Sequence, residues 1–147
     1  MSDEPVFDLE SGLFSEAMLR AVLPSRVATA RRTLRQLGLV LVAVSDGPAP
    51  GDVAALVRAV VRDSDMAARL DDGRIVLVLE FTPGEGCLIV AERLRERILE
   101  ATARAEMTAG IACYPAHAIS ADELLEVAEQ ASSSGGRGEN TVAPVPE

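Results

Sequence analysis

The 147-residue chain has no tryptophan, no lysine, one tyrosine, three phenylalanines, one histidine and two cysteines. With aromatics at 3% and hydrophobic residues at 48%, any core must be aliphatic, built from Leu, Val, Ile and Ala. Cys87 and Cys113 share no CxxC spacing, and His117 is the only other soft ligand, which excludes a structural zinc site. Both cysteines stand in apolar surroundings and read as reduced core residues, as expected of a cytoplasmic protein. The longest apolar run, LGLVLVAV at 37–44, is far too short to span a membrane, and the acidic start MSDEPVFDLE lacks a signal-peptide core. A net charge of −9 excludes a broad nucleic-acid-binding face, which needs a basic stripe. It leaves room for a small anion gripped by a few arginines, whose planar guanidinium suits phosphate. The all-arginine usage as a whole reads as codon bias.

What is present is a globular pattern of alternating helical and extended periods. Residues 1–7 read as a flexible leader. Ser15 is placed as an N-cap, Pro24-Ser25 is expected to interrupt the first helix, and a second is expected from Ser25 to Gln36, ended by Gly38. The run at 39–44 has the continuous hydrophobicity of a central strand buried on both faces. The Pro/Gly loop SDGPAPGD (45–52) precedes a helix over 53–62 with Val53, Leu56, Val57, Val60 and Val61 on one face. Strands at 66–70 and 74–81 flank Asp71-Asp72-Gly73, a strong hairpin signal. An amphipathic helix over 87–104 turns Leu88, Ala91, Leu94 and Ile98 inward, and a strand at 107–113 is closed by Pro115. Ser120 and Glu123 form a capping box for the last helix, and 132–147 has the composition of a flexible tail. From the first strand the order is βαββαβ plus one helix. The expected fold is therefore α+β, a ferredoxin-like antiparallel sheet covered by helices, in one domain over 8–131 with no internal repeat.

Several short motifs, in order, resemble the GGDEF family of diguanylate cyclases, which make cyclic di-GMP from two GTP molecules. DLESGL (8–13) resembles the opening D-x-L-T-G-L, with Asp8, Gly12 and Leu13 in agreement and Ser11 in place of Thr. RDSDMAARLDDGRI (62–75) resembles R-x-x-D followed by the signature hairpin. TAGIACYPAHAISADELLEVAEQA (108–131) resembles the family's last strand, acidic-Ser linker and helix. The resemblance covers nearly all of residues 8 to 130.

It also implies what has been lost. The signature positions read Asp71-Asp72-Gly73-Arg74-Ile75. In active members the first two are glycines that admit the nucleotide, and the next two are acidic residues that serve Mg²⁺ and the reacting hydroxyl. Here those two are Gly73 and Arg74, and a cation at a metal-ligand position repels Mg²⁺. The family's D-x-D aligns with Ala43-Val44-Ser45, and Asp46 is one residue out of register. The lysine near the C-terminus is replaced by SSSGG. Phosphoryl transfer depends on metals, cationic clamps and positioning, so the resemblance implies no catalytic residue, no metal and no cofactor. Arg62 and Asp65 match the R-x-x-D site at which cyclic di-GMP binds away from catalysis. Arg93 stands where a second arginine is often found, with Arg95 and Arg97 as substitutes.

Plainer readings stand beside these: R-x-x-D as a solvated helix end with an ordinary ion pair, Asp8 as a loop or cap residue, His117 as a surface loop residue, and ERLRER as a solvated face. Two functions follow. The chain is a cyclic di-GMP receptor that no longer synthesises its ligand and relays to a signalling or scaffold protein, or it is a nucleotide-independent protein-interaction module. Neither involves nucleic acid or membrane insertion, and both leave room for a homodimer.

Overall fold

The computed structural model describes residues 5–146. The elements in chain order are β1 (Phe14–Ser15), α1 (Glu16–Thr33), β2 (Leu37–Ser45), α2 (Pro50–Val60), β3 (Met66–Arg69), β4 (Ile75–Glu80), α3 (Gly84–Ala101), β5 (Glu106–Tyr114), α4 (Ala121–Gly135) and β6 (Asn140–Val142). They form one six-stranded sheet in the order β1-β3-β4-β2-β5-β6. Its middle four strands are antiparallel and carry the expected βαββαβ topology, while β1 and β6 add short parallel edges on β3 and β5.

The run at 39–44 is the centre of this sheet. Leu39, Val40, Leu41 and Val42 are all buried, and successive side chains enter opposite layers, as strand geometry requires. Val40 and Val42 join Val53, Ala54 and Val57 of α2 and Ala91, Leu94 and Ile98 of α3. Leu37, Leu39 and Leu41 join Leu19, Leu23, Val27 and Ala30 of α1 and Leu124 and Ala128 of α4. The result is a helix–sheet–helix sandwich with an aliphatic core on each face.

Four expectations are corrected. Pro24 does not divide the first helix: α1 runs unbroken from its Ser15 cap, whose side chain accepts from Met18 N. Leu19, Leu23, Val27 and Ala30 keep one apolar stripe against the sheet, and Pro24 lies on the solvent side, where a freed carbonyl is open to water. Gly38 does not end that helix. The left-handed Leu34 (φ 55°) does, and Gly38 is paired inside β2 with Leu79 and Cys113, where a Cβ would sit 2.1 Å from Cys87 Sγ. Residues 132–147 are not simply a tail, since α4 extends to Gly135 and β6 pairs with β5. Composition argued otherwise, but Arg95 on α3 donates to Gly138 O, Met107 O and Asn140 Oδ1, and fastens the segment to the open edge of β5. His117 is buried rather than a surface loop residue: its Nδ1 accepts from Cys113 N at 2.9 Å. Of the leader, residues 1–4 lie outside the described residues. Val6 O accepts from Ser15 N at 2.8 Å, and Phe7 bridges to Phe14.

Two outcomes test this packing. A Cβ on Gly110 of β5 would lie 1.9 Å from Ala128 O and 2.6 Å from Ser132 N, both backbone atoms of α4. Gly110→Ala should therefore lower the unfolding free energy by about 2–3 kcal/mol in urea titrations. Gly51→Ala, which meets only Glu10 O at 3.7 Å, should change it by less than about 1 kcal/mol. Burial holds the His117 pKa below its ordinary value. The unfolded chain therefore takes up this proton first, so the stabilisation is complete above about pH 6.5 and is lost as pH falls below it. His117→Gln should flatten that part of the stability profile between pH 7.5 and 5.5.

Candidate functional site

At one end of the sheet, α2 stops at Val60 and the chain turns through Arg62-Asp63-Ser64-Asp65 into β3. Asp65 N donates to Arg62 O at 3.0 Å, which closes the turn. The Asp65 carboxylate braces it: Oδ2 accepts from Arg62 N at 2.8 Å, and Oδ1 accepts from Glu80 N at 3.0 Å at the end of β4. The Asp65 side chain is only 2% exposed, whereas that of Arg62 is 67% exposed. Arg62 thus stands open to solvent, whereas the oxygens of Asp65 are committed to two backbone amides. The Arg62 guanidinium is 3.8 Å from Asp65 Oδ2 and donates from Nη2 to Thr82 Oγ1 at 2.9 Å. Arg26 of α1 reinforces the same corner through Ser64 O at 3.0 Å and the Glu80 carboxylate.

Arg62, Asp65 and Arg93 line one cavity of about 290 Å³, with Thr82, Gly86 and Ile89 completing its wall. Of the three arginines considered on α3, Arg93 is the one that shares it. Arg95 turns the other way and is half-buried in its contacts with the β6 segment, so ERLRER is not wholly a solvated face. Arg97 is exposed and does not line this cavity. Thr82 and Glu80 gave no sequence signal, because their part depends on the register that sets the end of β4 against the turn before β3.

The opposite end carries the signature hairpin. Leu70 N donates to Arg74 O at 2.7 Å and Gly73 N to Leu70 O at 2.9 Å, with Gly73 at φ 94°. This is a three-residue hairpin loop whose last position needs a left-handed residue, which glycine supplies without strain. Asp72 Oδ1 accepts from Arg74 N at 3.0 Å and Oδ2 from Arg74 Nε at 2.9 Å, and Arg74 Nη1 reaches Glu129 Oε1 of α4 at 3.3 Å. Burial pushes the Asp72 carboxyl up, but the Arg74 hydrogen bonds and charge outweigh it and hold its pKa below the ordinary range. Asp71 N donates to Glu16 Oε1 at 3.0 Å, a bond that is the largest cause of the lowered Glu16 pKa. Ile75 is buried opposite Val42.

Between this hairpin and β2 lies a cavity of about 110 Å³ lined by Val42, Val44, Pro48, Pro50, Val53, Arg69, Gly73 and Ile75. It contains no carboxylate, and Arg69 pairs with Asp8 at 3.3 Å and Glu10 at 3.6 Å. Asp46, left-handed at φ 54°, is exposed beyond β2. Magnesium asks for several hard oxygen ligands, and this donor set does not fit it. Among the described residues no three His, Cys, Asp or Glu side chains gather closely enough to hold a metal. Asp8 is a loop residue here, accepting from Ser11 N at 2.9 Å and Ser11 Oγ at 2.7 Å.

The model of the family described as "Diguanylate cyclase, GGDEF domain" matches residues 51–138. No curated protein sequence matches the chain. Among solved structures, the GGDEF domain of TpbB (YfiN) from Pseudomonas aeruginosa superposes with a TM-score of 0.81 at 23% identity, over 94% of each chain. The coiled-coil and GGDEF domain of DgcB from Caulobacter crescentus, solved in complex with c-di-GMP, gives 0.77 at 17% identity over 94% of this chain and 85% of that one. The diguanylate cyclase SiaD of Pseudomonas aeruginosa, in complex with its activator SiaC, gives 0.81 at 17% identity over 94% and 62%. Since the family match takes in α2, the Arg62 turn, the hairpin, α3, β5 and α4, this chain belongs to the GGDEF family.

Proposed function

We propose that this domain does not convert GTP and instead binds cyclic di-GMP at the Arg62 end of its sheet, relaying occupancy to a signalling or scaffold protein. The observation that carries the reading is the meeting of Arg62 and Arg93, from separate elements, on one cavity. Two guanidiniums facing one space suit a phosphodiester, because each can donate two parallel hydrogen bonds to its oxygens. Asp65 holds the turn that presents Arg62. The loss of synthesis rests on the hairpin end: Arg74 is engaged by Asp72 and Glu129, and no carboxylate lines the cavity between the hairpin and β2. The crystallised relative DgcB is in complex with c-di-GMP and SiaD with SiaC, which supports a ligand and a protein partner as the two classes to test.

The reading of the chain as a protein-interaction module has support of its own. Leu34 and Phe81 both take left-handed backbone, φ 55° and 54°, and both expose their side chains. Leu34 ends α1, whereas Phe81 caps no helix, and strain at a bulky exposed residue is a feature of binding surfaces. Phe81 lies beside Thr82, which Arg62 touches, and the Arg35 guanidinium lies 5.0 Å from its ring. A ligand at Arg62 therefore borders the surface that would report it.

Incubation of the purified protein with GTP and Mg²⁺ or Mn²⁺ should yield no cyclic di-GMP. Calorimetric titration with cyclic di-GMP should give a micromolar Kd that weakens as salt is raised, since Arg–phosphate attraction near a surface is screened. Arg62→Ala should weaken binding about ten-fold or more, the loss of one charge-assisted hydrogen bond of about 1.5–3 kcal/mol, and should exceed the effect of Arg93→Ala. Product from GTP would overturn the loss of synthesis. Absence of heat and of shifted NMR signals with excess ligand would overturn the receptor and leave the interaction module.

A further inference from the structure

Arg62 and Asp65 also line a second cavity, of about 310 Å³, on the other side of the turn. Its wall contains Phe7, Phe14, Arg58 and Asp63. The Phe7 and Phe14 rings stack with centroids 5.1 Å apart and planes 19° from parallel, and Phe7 remains 52% exposed. Gly12, at φ 77°, leaves room for the Arg58 guanidinium, since a Cβ there would lie 3.2 Å from Nη2. The two carboxylates differ. Asp65 is buried and committed to backbone amides, whereas Asp63 is exposed on the cavity wall.

Resting on the receptor reading above, we infer that the Phe7–Phe14 cavity is a guanine lobe, in which Asp63, not Asp65, reads the base. A flat aromatic face offers stacking to any nucleobase. The selective group is the carboxylate. Guanine presents N1–H and the N2 amino group side by side, two donors that one carboxylate accepts together. Adenine presents its N6 amino group beside an acceptor at N1, so only one of its two positions can donate and the N1 lone pair would face the Asp63 charge. Arg58 and Arg62 supply the cations for a phosphate next to the base. Because Arg62 borders both cavities, a ligand with two bases and two phosphates can straddle it, with one guanine against Phe7 and Asp63 and the other toward Thr82 and Arg93. A cyclic dinucleotide has that form and a mononucleotide does not.

The test is calorimetric titration of the full chain and of its Asp63→Asn, Phe7→Ala and Arg62→Ala variants with cyclic di-GMP, cyclic di-AMP and GMP. The wild-type chain should bind cyclic di-GMP at least about ten-fold more tightly than either other ligand. Asp63→Asn should erase most of the preference over cyclic di-AMP, and Phe7→Ala should weaken cyclic di-GMP binding about ten-fold. With three phenylalanines and one tyrosine in the chain, the Phe7 and Phe14 ring signals can be followed by NMR and should shift with bound ligand. Both substituted side chains are exposed, so these variants should keep the wild-type fold. If Phe7→Ala and Asp63→Asn bind as the wild type does while Arg62→Ala loses affinity, the guanine lobe is wrong and the receptor stands. Wild-type affinity for GMP equal to that for cyclic di-GMP overturns the straddling ligand, and failure of the wild type to bind any cyclic dinucleotide overturns both readings.

Discussion

The antiparallel ladder between β2 and β5 is the constraint on which the rest of the molecule depends. It pairs Leu37 through Ser45 with Tyr114 through Glu106 without a break, and β2 is also paired to β4 on its other side. A strand hydrogen-bonded on both edges and covered on both faces has a fixed register, because a slip of one residue would exchange its two apolar sets between the layers. Glycines on this pair set how close the helices come. Gly38 of β2 admits Cys87 of α3 on one face, and Gly110 of β5 admits the α4 backbone on the other.

That register separates the molecule into two chemically different ends. The β3–β4 hairpin and the end of β2 lie at one, where Asp72, Arg74 and Glu129 satisfy one another across the loop and α4. The end of β4 and the turn before β3 lie at the other. There Arg62 stays exposed while the groups beneath it are consumed by the fold. A charge network closed upon itself has little left to offer a ligand, and an exposed guanidinium on a braced turn has much. The contrast follows from which polar groups have intramolecular partners.

Much of this was legible in the sequence wherever a local pattern spoke for itself. The unbroken apolar run gave the central strand, Asp-Gly gave the hairpin, and Ser15 and Ser120 marked helix starts. What escaped depends on contacts far apart in the chain. Pro24 reads as a helix breaker until the stripe around it is seen to pack on the sheet. The Ser/Gly-rich stretch after 131 reads as tail until Arg95 and the bare edge of β5 supply its partners. At the candidate site, R-x-x-D pointed to one corner of the fold but not to the division of labour within it. The burial of Asp65 comes from Glu80 N, fifteen residues away, and Phe7 of the Phe7–Phe14 pair comes from a segment that reads as leader. Arg93 was separable from Arg95 only once the helix phase placed one over the Arg62 cavity and the other over β6.

The double acceptance by Asp65 has a consequence for how such a motif drifts. Its carboxylate joins the α2–β3 turn to the end of β4, so replacing it leaves two backbone N–H groups without partners whether or not any ligand is ever met. Arg62 carries far less of that burden. The two letters of the motif thus differ in what the fold asks of them, the aspartate bracing two backbone amides and the arginine leaving most of its side chain at the surface. In a lineage that ceased to meet its ligand, the arginine would be the first to go and the aspartate would outlast it.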